Sequence, residues 1–132
     1  MSSFEIAHMG ISVSQLDRAV KWYGDYFGFK EVKRFERTEF AVKGALLQLG
    51  TGFLELLAPK SPAPNFNIGK PLYIMLQKVG ANHMALQVDD IQACYDDFKK
   101  CNSVGMVTGL VDGRLFFCTD PDGTVIEVKQ KG

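Results

Sequence analysis

Two histidines, one tryptophan and no excess of either charge are the scarcities that first constrain this 132-residue chain. Lys plus Arg and Asp plus Glu each number 15. No basic surplus is therefore left to hold a phosphate backbone, and no nucleic-acid partner is expected. No apolar run approaches the roughly 20 residues of a bilayer span, and the start Met-Ser-Ser-Phe-Glu lacks the basic and apolar regions of a secretory leader. The expectation is a cytoplasmic protein with no membrane partner. Three cysteines, Cys94, Cys101 and Cys118, are an odd number without a secretory context, and are read as reduced thiols lining a core. If Cys94 and Cys101 share a helix, they stand about 10 Å apart along it, too far for a disulfide. At this length one domain, residues 1–132, with no second independent core, is expected.

What the chain does have is a repeat. Phe4 to Val13 reads F-E-I-A-H-M-G-I-S-V, and Gly80 to Val88 reads G-A-N-H-M-A-L-Q-V. Each carries His-Met inside an alternating apolar stretch, is followed by a polar break and a helical pattern, and belongs to a segment that closes on a strand bearing one carboxylate. Those carboxylates are Glu55 in F-L-E-L-L and Glu127 in V-I-E-V. The histidines His8 and His83 are 75 positions apart and the glutamates 72, so equivalent groups recur at equivalent places.

In the first copy, residues 4–13 alternate as a strand with His8 on the face opposite Met9 and Ile11. Ser14 to Asp17 resembles a capping sequence, and Leu16, Ala19, Val20, Tyr23, Tyr26 and Phe27 recur at helical spacing until Gly28. Strands are expected from Phe29 to Arg37 and from Glu39 to Leu49, then a Gly50-Thr51-Gly52 hairpin and a strand from Phe53 to Ala58. Pro59 to Pro71 is the one linker-like stretch, joining modules of about 1–60 and 79–132. Leu72 to Lys78 has room for a short helical turn. In the second copy, a strand over residues 81–88 places His83, Ala85 and Gln87 together, and Asp89-Asp90 caps a helix carrying Ile91, Cys94, Tyr95, Phe98 and Cys101. Strands near Gly105 to Gly109 and Arg114 to Thr119 precede the turn Asp120-Pro121-Asp122-Gly123 and a final strand from Thr124 to Lys129. The fold class is α+β: two tandem βαβββ modules pairing into a concave, barrel-like mixed sheet with helices outside.

A lone strand histidine is ordinarily a hydrogen-bonded core residue. Here both histidines of the chain occupy the same repeat position, each with a glutamate at the far end of its copy. That duplication points to a metal site formed by His8, Glu55, His83 and Glu127. Two imidazole nitrogens and two carboxylate oxygens suit one borderline divalent ion (Zn, Ni, Co, Mn or Fe) and leave a position open for water or substrate. Such an ion polarises a carbonyl or enediolate oxygen while a neighbouring carboxylate takes the adjacent proton, which is chemistry for isomerisation or epimerisation. The walls expected around the ligands are Phe40, Leu46, Phe53 and Phe116, with Ser12, Gln48 and Gln87 as polar members of the pocket.

The stretches H-M-G-I-S-V-x-x-L-D-R-A-V-x-W-Y, F-L-E-L-L-A-P, N-H-M-A-L-Q-V-D-D-I and D-P-D-G-T-V-I-E-V resemble, over nearly the whole chain, the vicinal oxygen chelate superfamily. That superfamily includes glyoxalase I, methylmalonyl-CoA epimerase, extradiol dioxygenases and the fosfomycin and bleomycin resistance proteins. The resemblance implies paired βαβββ modules around a metal, with the four ligand positions falling on His8, Glu55, His83 and Glu127. It also implies a homodimer, since members often complete the site across two chains. A carboxylate at position 55 favours the glyoxalase and epimerase branches over the dioxygenases. Glyoxalase I commonly has an Arg where this chain has Ser12. Epimerases pair their metal-bound Glu with a second Glu on an earlier strand, a placement similar to that of Glu39, and show His-His where this chain has Asn82-His83.

The expected function is a metal-dependent lyase, isomerase or epimerase. It would move a proton alpha to a carbonyl of a small thioester or hemithioacetal, with Glu127 as main base, Glu55 as ligand or opposite-face acid and Glu39 as a further candidate acid. The alternatives are a small-molecule binding or resistance protein without catalysis, or an extradiol-type dioxygenase.

Overall fold

The computed structural model describes residues 1–132 and divides into two compact units, Met1–Ala63 and Pro64–Gly132. In the first unit the order is β1 (Met9–Ser12), α1 (Leu16–Phe27), β2 (Lys30–Arg37), β3 (Val42–Leu49) and β4 (Gly52–Pro59). The strands form an open mixed sheet, β1-β4-β3-β2, in which β1 runs parallel to β4 and the other pairs are antiparallel. The second unit holds α2 (Leu72–Met75), β5 (His83–Val88), α3 (Ile91–Lys99), β6 (Gly105–Met106), β7 (Leu115–Thr119) and β8 (Val125–Gln130). Its sheet, β5-β8-β7-β6, repeats the plan with a parallel β5–β8 pair. The tandem βαβββ architecture is thus present, as two four-stranded sheets with three helices.

Period-2 alternation sends one face of each sheet to its helix. In the first unit Ala45, Leu47, Leu54 and Leu56 are almost wholly buried, as are Ala19, Trp22 and Tyr23 of α1. The Trp22 and Tyr23 rings meet edge-on at 4.9 Å. In the second unit Phe116, Cys118, Ile126 and Val128 are buried, with the Tyr95 and Phe98 rings of α3 meeting Phe116 tilted at 5.3 Å and edge-on at 5.6 Å. Helix α1 ends as the sequence indicates: Gly28 adopts φ 84° and donates to the Gly24 carbonyl, while Phe29 N–H reaches Tyr23. Helix α3 starts on Asp90, whose carboxylate accepts from Ala93 N–H.

Three expected strands are shorter than their alternation suggests. Strand β1 begins at Met9, not at residue 4. Its register pairs Met9 with Leu54, and β4 itself starts at Gly52 after a two-residue turn in which Gly50 has φ 58°. Residues before Ala7 would run past that turn with no strand to bond, so Phe4 and Ile6 stay exposed. Glu39 is likewise not on a strand: Thr38–Phe40 is a 3-10 turn closed by Ala41 at φ 53°, connecting the paired Arg37 and Val42. Expected helix 72–78 shrinks to the four residues of α2, and the expected strand 105–109 to the two of β6.

Candidate metal and active-site residues

In the first unit, β4 carries Glu55 between Gly10 of β1 and Leu46 of β3. His8 lies just before β1, two residues ahead of Gly10, with its Nε2 3.6 Å from Glu55 Oε1. A Cβ at position 10 would stand 3.9 Å from Glu55 Oε1, an ordinary contact, and the second module carries Ala85 at the equivalent place beside Glu127. In the second unit, β8 carries Glu127 between Ala85 of β5 and Phe117 of β7. His83 is again two residues ahead of the strand partner, and its Nε2 lies 3.2 Å from Glu127 Oε1. The two modules therefore place the same pair at the same register. His8 and Glu55 are 40% and 24% exposed at the side chain, His83 and Glu127 27% and 17%, so the second pair is the more enclosed.

The imidazole of His83 has a second neighbour. Its Nδ1 lies 2.8 Å from Asn82 Oδ1, and the Asn82 side-chain amide donates to the Met75 carbonyl at 3.0 Å. The Phe117 ring stands edge-on to His83 at 5.3 Å and 83°. Glu55 and Glu127 face only imidazole; neither is paired with a lysine or arginine. Within neither unit do three or more His, Cys, Asp or Glu side chains gather into one cluster. Each unit supplies a pair.

The other expected site residues divide by sheet face. Ser12, Gln48 and Phe53 share the Glu55 face by register, although the Gln48 amide donates to the Gly50 carbonyl and so holds the hairpin. Gln87 is exposed and shares the Glu127 face, as does Lys129. Leu46 flanks Glu55 as expected, whereas Phe40 is 73% exposed in the 3-10 turn and Glu39 is exposed beside it. Phe116 is not a site wall: it is fully buried beneath α3, and Phe117 takes the place next to the carboxylate.

The cause is a single loop residue. Read as a four-residue turn before a strand beginning at Thr124, Asp120–Gly123 would set Phe116 opposite Glu127. The loop instead spans five residues, because Asp120 is buried and its Oδ1 accepts from both Asp122 N–H and Thr124 N–H. Thr119 then pairs with Val125, and every side chain of β7 changes face relative to that reading.

One further concavity went unforeseen. A cleft of about 360 Å³, lined by Asn67, Lys70, Met75, Gly105, Thr119 and Asp120 among others, lies at one end of the second sheet. Thr119 pairs with Val125 and Val125 with His83, which puts the cleft's Thr119 wall two strands, or about 10 Å, from the histidine.

Similarity to known proteins agrees with this construction. A Vibrio cholerae protein named "Probable lactoylglutathione lyase" is 31% identical over 140 residues, covering 98% of this chain and 93% of its own. The glyoxalase I structure of Leishmania major aligns at TM-score 0.74 and 23% identity, over 97% of this chain and 87% of that one. A glyoxalase family protein from Bacillus cereus aligns at TM-score 0.78 and 17% identity, over 98% and 95%. With residues 5–128 matching that family's model, the duplicated module and its paired His and Glu place the chain in the glyoxalase/bleomycin resistance protein/dioxygenase superfamily.

Proposed function

We propose that this chain is a divalent-metal-dependent lyase or isomerase of the glyoxalase or epimerase type, acting on a small hemithioacetal or thioester as a cytoplasmic homodimer. The observation that carries the reading is the duplicated His–Glu pair, held at one register position in both modules. The donor spacing suits an ion: two ligands each about 2.1 Å from a metal at tetrahedral or octahedral angles lie about 3.0–3.4 Å apart. The His83–Glu127 separation, 3.2 Å, falls within that range, and the His8–Glu55 separation, 3.6 Å, lies slightly beyond it. His8, Glu55, His83 and Glu127 would hold the ion, from one chain or across two. When bound, it would supply Lewis-acid stabilisation of an enediolate oxygen.

The chain's own groups do the rest. Glu127, the more enclosed carboxylate, is assigned as the base that takes the proton alpha to the carbonyl, and Glu55 as ligand or opposite-face acid. Phe117 keeps water from one side of His83, and Ser12 and Gln87 offer polar contacts on the same faces. Glu39, exposed in a turn, is assigned no part in proton transfer. A hemithioacetal is preferred because of the lactoylglutathione lyase name borne by the Vibrio cholerae relative. A CoA-type thioester is the second substrate class.

Solvent deuterium exchange into glutathione hemithioacetals and CoA thioesters, with and without EDTA, tests the reading. Exchange into one class that chelation abolishes is expected. Glu127→Gln should lower turnover about 10²–10⁴-fold, the usual contribution of a positioned base, while Glu39→Gln changes it less than about twofold. Undiminished turnover in Glu127→Gln would remove the assignment. Tight ligand binding with neither metal nor exchange would make the protein a binding module.

A further inference from the structure

Glu127 shares its sheet face with a second charged group. Alternation along β8 buries Ile126 and Val128 on the α3 side and turns Glu127 and Lys129 to the other face. Lys129 pairs with Gln87 of β5 and Leu115 of β7, one register row beyond Ala85–Glu127–Phe117. Two residues of strand, about 7 Å, separate these rows. His83 lies on the opposite side of the Glu127 row, beside Val125, and its Nε2 is the group that Glu127 Oε1 faces. The Lys129 ammonium is left without a carboxylate, and the Gln87 amide without a hydrogen-bond partner; both side chains are exposed.

The architecture does not ask for a lysine at this place. The equivalent row of the first module is Ser12–Leu57–Gly44, with a leucine where Lys129 stands and no charge. Lys129 does not protect a sheet edge either, because β8 lies between β5 and β7.

We propose that Lys129 and Gln87 form a carboxylate-binding site that sets substrate specificity. They are directly paired residues on strands about 4.8 Å apart, so an ammonium and a carboxamide NH2 stand side by side and donate to the two oxygens of one carboxylate. The substrate selected in this way carries a carboxylate several bonds from the carbon whose proton Glu127 takes, on its thiol-derived half or on its acyl half. That the anion belongs to the substrate rests on the function proposed above; the affinity of the pair for a carboxylate does not.

The test is proton–nitrogen shift titration of the ¹⁵N-labelled protein, as purified, with matched acid and amide probes. One arm puts the charge on the thiol half, with 3-(2-oxopropylthio)propanoate against its amide. The other puts it on the acyl half, with the glutaryl thioester of N-acetylcysteamine against its terminal amide. In one arm the acid should bind about tenfold more tightly than the amide, the scale of one charge-assisted hydrogen bond. The arm that shows the preference identifies the half that bears the charge. Lys129→Met keeps the stem and removes the charge, and should reduce the preference to less than about twofold; Gln87→Leu should reduce it about threefold. Unchanged spectral dispersion checks that each variant is folded. No acid preference in either arm of the wild type, or a preference that Lys129→Met leaves intact, would overturn the proposal. If the preference depends on Lys129 but neither hemithioacetals nor thioesters exchange deuterium, the carboxylate site stands and the proton-transfer reading falls.

Discussion

Asp120 shows how one side chain sets the chemistry of a face it does not touch. Its buried carboxylate gathers two backbone N–H groups, lengthens the β7–β8 loop to five residues and so turns Phe117 rather than Phe116 toward Glu127. The two phenylalanines should accordingly fail in different assays. Phe116→Ala, cut from a fully buried ring, is expected to cost about 3–5 kcal/mol in denaturant unfolding with modest effect on turnover of the surviving folded protein. Phe117→Ala should cost less stability and depress turnover more; the reverse order would contradict the register. Cys118, in the same buried row, has its thiol pushed up to about 12, first by burial and then by Cys94 and Asp120. Below about pH 9 the thiol is protonated in both states and contributes no pH dependence. Between 9 and 12 the unfolded chain releases this proton while the folded one keeps it, so the thiol's contribution lowers stability as pH rises. Urea midpoints from pH 8 to 11 should fall more steeply for the wild type than for Cys118→Ala.

At the scale of elements, the Gly28 stop and the Asp90 cap were legible in sequence, whereas strand length was not, nor was the start of α1, where Gln15 rather than Ser14 takes the N-cap and no side chain caps the helix. Gly28 and Asp90 act through neighbours within six residues along the chain, so local chemistry is enough to place them. Where β1 starts depends on where its partner β4 turns back, and the 3-10 turn at Thr38–Phe40 depends on the pairing of Arg37 with Val42. Alternation continues in the sequence after the hydrogen-bonding partner has ended. Packing across strands makes a similarly specific demand at Gly44: a Cβ there would stand 2.3 and 2.5 Å from Phe35 ring atoms and 3.0 Å from the Leu56 carbonyl. Gly44→Ala should therefore displace the Phe35 ring and destabilise the first module by about 1–3 kcal/mol, read as a lower thermal midpoint. An unchanged midpoint would mean that Phe35 moves away at no cost.

For the whole molecule the governing fact is duplication: two units, each with its own buried face, and each bearing one imidazole–carboxylate pair at the same register. On the proposed reading, a metal that draws ligands from both modules binds the folded state only. At a free concentration of 100 Kd it adds about 2.7 kcal/mol of stability. EDTA should then lower the thermal midpoint of the wild type and leave that of a His83→Gln variant nearly unmoved. Equal midpoints for the wild type with and without chelator would count against a shared metal.

By itself the sequence determined the plan. Two βαβββ copies, their helices, the Gly28 and Asp90 caps, and a matched histidine and glutamate in each can be read from local patterns in the sequence. The tertiary structure alone decided which residues stand beside those pairs. Phe117 rather than Phe116, an exposed Glu39 in a turn, a β1 that begins after His8, and the amide of Asn82 held by Met75 all follow from strand register and from contacts between separate elements. A one-residue change in loop length reverses a strand's faces without altering its alternation, and no periodicity within a strand records it.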